Sequence, residues 1–216
     1  HLTREARGEV VRVDLTRSPA AIWTGYSPTL RNTIRRVRQR GFTLHFFEDA
    51  RGFPFFHPIY RETMERRRAA PFYHFPPAFF EDLHRSLSGR FLYGVVFDGA
   101  SPISAELCLT DGEELVSLLG GTTTHALPEA ANPLLRDGLI RWGRAHRFRI
   151  YDLGGGRTAG DSLFRYKRKF GRNDVVPAVV GYRIWNRRIY DRLCAAAGVD
   201  GRRETFFPAY RKGERG

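Results

Sequence analysis

Lysine is almost missing from this chain. Of its 36 basic residues only Lys167, Lys169 and Lys212 are lysines, and the rest are arginines. A GC-rich coding sequence accounts for that ratio but not for the net charge of +13, because exchanging Lys for Arg is charge-neutral. Cysteine is scarce as well. Cys108 and Cys194 have no neighbours at metal-ligand spacing, so the plainer reading is two reduced thiols in a cytosolic protein and no metal. His57, His125 and His146 add no spacing suited to a metal or a triad, and no serine or cysteine stands in a nucleophile motif. No run approaches about eighteen consecutive apolar residues, and the first ten, HLTREARGEV, lack a signal-peptide core. These absences argue against a helical membrane span and predict a cytoplasmic protein. Repeats, low-complexity tracts and long linkers are absent too.

What is present suffices for one well-filled core, with 42% hydrophobic content over 216 residues. The expectation is a single domain, with residues 1–26 as lead-in strand and linker and 187–216 as closing helix and tail. Strands are expected at Glu9–Leu15, Phe42–Glu48, Phe91–Phe97, Ile103–Thr110, Leu115–Leu119, Ile150–Leu153 and Val175–Ile184. Asp98-Gly99 and Asp111-Gly112 join three of them as an antiparallel meander. Ser27 as N-cap, Pro28 behind it and Gly41 past the end punctuate a helix whose inward stripe is Leu30, Ile34 and Val37. Further helices are read over Pro58–Arg68, Ala78–Ser88, from Pro133 and over Arg187–Ala197. The order is that of an α/β fold with a mixed, largely antiparallel sheet flanked by helices.

The most informative stretch is Tyr151–Gly171, YDLGGGRTAGDSLFRYKRKFG. It reads as a buried strand, a glycine turn and a helix opened by Asp161 or Ser162. At about 100° per residue, Leu163, Tyr166 and Phe170 share one face and Lys167 falls among them. Arg165, Arg168 and Lys169 take the opposite face. A cation on an apolar face usually has an ion pair or a task. An arginine-rich chain has written lysine here, a compact ammonium that can lose its proton. The bland alternative is that Lys167 snorkels and pairs with Asp152. The excess charge fits a polyanionic partner, and Arg31, Arg35 and Arg38, on one flank of the Ser27 helix, are candidates for RNA-backbone contact.

The same residues resemble a known family. LGGG, then DSLF and F/Y-K-x-x-F-G, is similar to the C-terminal signature of Fem-type aminoacyltransferases, whose fold is GNAT-like. IYRETMERRRAAPFYHFPPAFFEDL (Ile59–Leu83), LVSLLGG (Leu115–Gly121) and NPLLRDGLIRWGRAHR (Asn132–Arg147) resemble other segments of that family in the same order. The resemblance spans about residues 9 to 193 and corresponds to the family's C-terminal domain. It implies an amide-forming transfer from aminoacyl-tRNA to a substrate amine, without a bound cofactor. It further implies Lys167 as the cation at the reacting ester, Tyr166 at a position usually held by Phe, and Tyr60 with Arg66, Arg67 or Arg68 as acceptor contacts, Arg67 being the one selected. The LGGG loop with Arg157 is the remaining candidate, a tight turn being its alternative. The strand before Gly120 lacks the tyrosine common in the family, so the acceptor is not fixed by the resemblance.

Coenzyme A enzymes of this fold carry R/Q-x-x-G-x-G/A before the central helix, and LLGGTTTHALPEAANPLL has no such arrangement. Two other readings stand beside the first. One is an acyl-coenzyme A N-acyltransferase with a degenerate phosphate loop, the other a non-catalytic RNA-binding module. No general base is identifiable: Glu106 on a central strand and Asp152 at a strand end have the right chemistry, and a structural role accounts for each equally well.

Overall fold

The computed structural model describes residues 3–156, 158, 160–204 and 206–212. Two compact units divide it, residues 9–176 and residues 1–8 with 177–216.

The chain order is β1 (Thr3–Asp14), α1 (Pro19–Gly25), α2 (Pro28–Arg38), β2 (Thr43–Phe47), α3 (Phe53–Arg66), α4 (Pro77–Ser86), β3 (Phe91–Asp98), β4 (Ser101–Asp111), β5 (Glu114–Thr122), α5 (Ala131–Ala145), β6 (Ile150–Gly154), α6 (Ser162–Arg168), β7 (Val175–Tyr182) and α7 (Arg187–Ala196). In the larger unit the strands run β2-β3-β4-β5-β6-β1. All neighbours are antiparallel except β5 and β6, which are parallel. This is the mixed, largely antiparallel sheet expected from the sequence.

Local signals explain most of these elements. Ser27 Oγ accepts from Leu30 N, Pro28 opens α2, and Leu30, Ile34 and Val37 are buried as the stripe predicts. The turns at Asp98-Gly99 and Asp111-Gly112 have glycine at positive φ, as tight hairpins require. Several boundaries differ from the sequence reading: β1 begins at Thr3 rather than Glu9, and β5 runs to Thr122 rather than Leu119. Residues 19–25, read as linker, form α1, capped by Ser18 and opened by Pro19; with Ile22 its one buried residue, the helix leaves no periodic signature. Helix α3 begins at Phe53 rather than Pro58, with Pro58 inside it. A proline is best tolerated in a first turn, which is why it reads as a start.

Strand alternation gives the sheet two covered faces. Leu92, Val96 and Cys108 join the helices α1, α2, α5 and α6 in one cluster. Phe91, Tyr93, Val95, Ala105 and Leu107 join α3 and α4 in the other. On β4 the alternation puts Ser104, Glu106 and Cys108 on the α5 side. Contact between α3 and β5 is close: a Cβ on Gly121 would lie 2.4 Å from Thr63 Oγ1 and 2.9 Å from the Ile59 carbonyl. We expect Gly121→Ala to lose about 1–3 kcal/mol in urea unfolding, because the helix backbone must retreat. An unchanged midpoint would show that α3 yields freely.

The smaller unit has its own cluster of Tyr190, Cys194 and Ala209. Asn186 caps α7 and the Tyr182 ring stacks on Phe207 at 4.1 Å. Both cysteines are free and buried. No helix among the described residues is long and apolar enough to cross a membrane.

Candidate active site

Helix α6 is opened by Asp161, whose Oδ1 accepts from Phe164 N at 2.8 Å. Its buried side is not the expected stripe. Leu163 is 38% exposed, and Phe164, at 6%, takes its place. The helix ends at Arg168, so Phe170 reaches the core from beyond it and the helical step no longer fixes its direction. Lys167 nevertheless faces inward, half-buried. Its Nζ donates to the Gly155 carbonyl at 2.7 Å.

The glycine turn is shaped around that ammonium. Gly154 has φ +69°, and a Cβ there would stand 3.3 Å from Lys167 Nζ. A Cβ on Gly155 would stand 2.6 Å from the Glu9 carbonyl of β1. Asp152 Oδ1 accepts from Gly154 N at 2.7 Å, and its Oδ2 lies 3.4 Å from Arg12 Nε. Lys167 forms no ion pair among the described residues, so the pairing with Asp152 weighed from the sequence is absent. Burial, and then the positive charge of Arg136, lower its pKa from 10.5 to about 8 against the pull of Glu106, Asp152 and Asp161.

Beneath it lies a buried polar network. Glu106, wholly buried on β4, accepts from Tyr151 O–H at 2.6 Å and from Arg136 Nε at 3.1 Å. Arg136, only 7% exposed, has its Nη1 buried without a hydrogen-bond partner. Its guanidinium carbon is 5.5 Å from the centroid of the Tyr166 ring, and Tyr166 donates to Asn132 Oδ1 at 2.6 Å. Burial raises the pKa values of Tyr151 and Tyr166. The network ties β4, α5, β6 and α6 together beside Lys167, and both carboxylate oxygens of Glu106 are engaged, Oε1 by Tyr151 and Oε2 by Arg136.

The sheet opens at this point. Strands β5 and β6 pair over only three positions, Glu114–Val116 with Ile150–Asp152. β5 continues to Thr122, while β6 ends at Gly154. Opposite β4, Leu107 pairs with Leu119 and Cys108 with Ser117, which leaves Leu118 in a bulge. The diverging strand is held from its far side: Thr122 N donates to Thr63 Oγ1 at 3.2 Å and Ser104 Oγ to the Gly121 carbonyl at 3.0 Å.

The sequence candidates divide accordingly. Lys167 and Tyr166 are brought together. Tyr60 is buried among the α3 and α4 residues on the other face of the sheet; its hydroxyl donates to the Tyr73 carbonyl and burial raises its pKa to about 12. Arg67 is the exposed C-cap of α3, whereas Arg66 donates to Thr124 Oγ1 at 3.0 Å and Thr63 Oγ1 at 3.3 Å. Arg157 lies outside the described residues. On α2, Arg31 donates to the Thr24 carbonyl and Arg35 to Asn32 Oδ1, while Arg38 pairs with the buried Asp137 at 2.8 Å. Arg35 and Arg38 also lie over the Trp23 ring.

Arg136, Asn132 and Tyr151 were missed as site residues. A signal existed for two of them: Asn132, Arg136, Leu139 and Gly143 fall on one helical face, so Arg136 is a cation on an apolar stripe, as Lys167 is.

The family profile described as the acetyltransferase (GNAT) domain matches residues 25–168, two thirds of the chain. Among solved structures, FemX is similar with a TM-score of 0.70 and 14% identity, over 85% of this chain and 63% of that one. The C-terminal domain (DUF2156) of an Agrobacterium fabrum protein assigned as a lysylphosphatidylglycerol synthetase gives a TM-score of 0.60 at 15% identity, over 83% and 61%. An aminoglycoside acetyltransferase, HMB0005, from an uncultured soil metagenomic sample gives 0.50 at 12% identity, over 67% and 97%. The chain thus spans about three fifths of the length of the first two. None of the curated proteins matches it in sequence. The resemblance read from LGGG and Y-K-x-x-F-G is therefore borne out in the fold. The chain belongs to the acetyltransferase (GNAT) domain family.

Proposed function

We propose that this protein transfers an aminoacyl group from aminoacyl-tRNA to a substrate amine. The observation that carries the reading is Lys167, an ammonium of lowered pKa with no carboxylate partner among the described residues, held by the Gly155 carbonyl just past the end of β6, where β5 and β6 no longer pair.

The chemistry follows from that placement. The amine nitrogen attacks the ester carbonyl carbon, and a tetrahedral intermediate with a negative oxygen forms. Its collapse breaks the bond to the ribose oxygen and leaves an amide. The nitrogen loses a proton to solvent and the departing ribose oxygen gains one. A fixed ammonium stabilises both developing charges, and a pKa near 8 makes Lys167 a better proton donor than an ordinary lysine. The ester is already activated, so the reaction needs neither metal nor nucleotide triphosphate. Charged tRNA implies a cytoplasmic setting.

An acyl-coenzyme A donor is the second reading, favoured by the acetyltransferase family match. Against it stands the segment entering α5, where that fold binds pyrophosphate through free amides. Here the amides of Ala126, Leu127, Glu129 and Ala130 donate to carbonyls within the segment, and that of Thr124 donates to Glu62 at 2.6 Å. Ala130 precedes the helix at φ 55° with no side-chain cap.

Two measurements bear on the choice. Binding of a charged tRNA pool, titrated beside a coenzyme A thioester at two salt concentrations, is expected to show salt-sensitive RNA affinity and no thioester response. Saturable thioester binding with weak RNA affinity would favour the second reading. As pH rises through about 8 Lys167 loses its proton, so turnover is expected to stop climbing there and to fall roughly tenfold per unit once the amine substrate is itself deprotonated. The rise on the acid side belongs to the amine substrate. A rate still climbing at pH 9.5 would remove Lys167 from proton delivery.

A further inference from the structure

The outward side of α6 carries a second group of cations. Arg165, Arg168, Lys169 and Arg172, with Ser27 and Asn173, line an open hollow of about 540 Å³ in the larger unit. All four cations are exposed. Most arginines with ordered partners elsewhere pair with carboxylates, such as Arg38 with Asp137 and Arg40 with Glu129. None of these four does so among the described residues. Arg165 donates only to the Gly160 carbonyl at 2.8 Å, and Arg168 Nε lies 3.5 Å from the Arg172 carbonyl. Four like charges in one hollow repel one another at a cost that an anion removes.

The backbone that carries the cations is hydrogen-bonded on both sides. Ser27 N donates to the Lys169 carbonyl at 2.8 Å, and Asp174 N to the Gly171 carbonyl at 3.1 Å. The cations therefore stand on backbone fixed to α2 on one side and to the turn before β7 on the other. Helix α6 is seven residues long and turns Lys167 inward while Arg165 and Arg168 point out. With side chains an α-helix is about 10 Å across, so a chain lying in the hollow can bring its end over Lys167.

We propose that this hollow is the phosphodiester-binding surface of the protein, holding two or three backbone phosphates of the RNA whose acyl-bearing end reaches Lys167. This rests on the aminoacyl-tRNA reading and gives it a location. It moves the RNA contact from the α2 arginines, of which Arg38 is committed to Asp137, to the exposed side of α6. Guanidiniums without carboxylate partners can each grip a phosphate through two N–H donors. The phosphates of coenzyme A share that chemistry, so the test includes it.

The test compares wild type with Arg165→Gln/Arg168→Gln/Arg172→Gln and, separately, with Arg31→Gln/Arg35→Gln. Each is titrated with charged tRNA, uncharged tRNA and coenzyme A between 50 and 200 mM salt. The hollow variant is expected to lose roughly tenfold or more in affinity for both tRNAs and to lower the slope of log K against log salt by about 2 to 3. The α2 variant is expected to retain wild-type affinity. Melting temperatures are expected to stay within a few degrees of wild type, because the repulsion relieved offsets the two exposed hydrogen bonds to backbone carbonyls that are lost. Unchanged RNA affinity in the hollow variant, with wild type binding RNA, would overturn the proposal and leave the donor reading standing. Coenzyme A binding without RNA binding by wild type would overturn both. Should the triple variant melt early, Lys169→Gln and Arg172→Gln alone are each expected to lower the slope by about one.

Discussion

Replacing Lys167 with Met is expected to abolish transfer and to make the protein more stable. The loss should be about 10² to 10⁴ in kcat, the range for removing a group that delivers a proton and stabilises an oxyanion in the same step. KM for the donor should change little, since the proposed RNA surface lies on the opposite side of α6. The gain in stability has a defined sign. The folded-state pKa of Lys167 lies near 8, below its ordinary 10.5, so burying the charged form opposes folding at every pH below about 8. That penalty fades as pH rises from 8 towards 10.5. Met has a similar length and no charge, so at pH 7 the variant should gain about 1–2 kcal/mol, discounted because Lys167 is only partly buried and gives up its bond to Gly155. For a chain of this size that is a rise of roughly 2–8 °C in Tm. Lys167→Arg keeps the charge but not the proton-donating capacity. It should be nearly as inactive, without the gain in stability. A Lys167→Met protein that turns over normally would reduce Lys167 to a packing residue.

The second large effect is structural. Glu106→Ala is expected to destabilise the fold by about 3–5 kcal/mol, the cost of leaving one partner of a buried ion pair unmatched. Arg136 would keep its charge in the interior, and the Tyr151 hydroxyl would lose its acceptor. Against a total stability of about 5–15 kcal/mol, that is enough to compromise expression. The double variant Glu106→Leu/Arg136→Met separates the pair from the space it fills. It removes both charges, keeps most of the volume, and should recover most of the loss in urea unfolding. Its activity should still be impaired, because the pair removed sets the charge around Lys167; Arg136 lowers the Lys167 pKa by more than Glu106 raises it, so the alkaline limb of the pH profile should move slightly upward. If the double variant is as unstable as Glu106→Ala, the loss comes from packing rather than from an unmatched charge.

The sequence made the frame of this fold legible because its signals are local. Ser27-Pro28 and the stripe of Leu30, Ile34 and Val37 define α2, and two Asp-Gly turns define the meander; each depends on residues a few positions apart. The inward placement of Lys167 was legible for the same reason, but the stripe around it was misread as Leu163 instead of Phe164. In two turns of helix the period leaves the phase loose, and Phe170 already belongs to the next segment. The partner of Lys167 was not legible at all. Gly155 is twelve residues away, and its carbonyl faces the ammonium only because Gly154 turns with a positive φ. The Glu106–Arg136 pair, thirty residues apart, depends on how α5 lies across β4. Glu106 was seen as a possible base because a carboxylate on a central strand is unusual; only its two donors show that it is occupied. Likewise the α2 arginines looked equivalent by spacing, and their differing commitments to Asn32, Trp23 and Asp137 are tertiary facts.

The most direct measurement is ester consumption. Wild-type protein is mixed with a charged tRNA pool and a panel of primary amines, loss of the aminoacyl ester is followed against a no-enzyme control, and acetyl-coenzyme A is followed in parallel by thiol release. Amine-dependent loss of the tRNA ester, absent in Lys167→Met and without thiol release, is the predicted result. Amine-dependent thiol release with the tRNA ester untouched would contradict the account, and the acyl-coenzyme A reading would replace it.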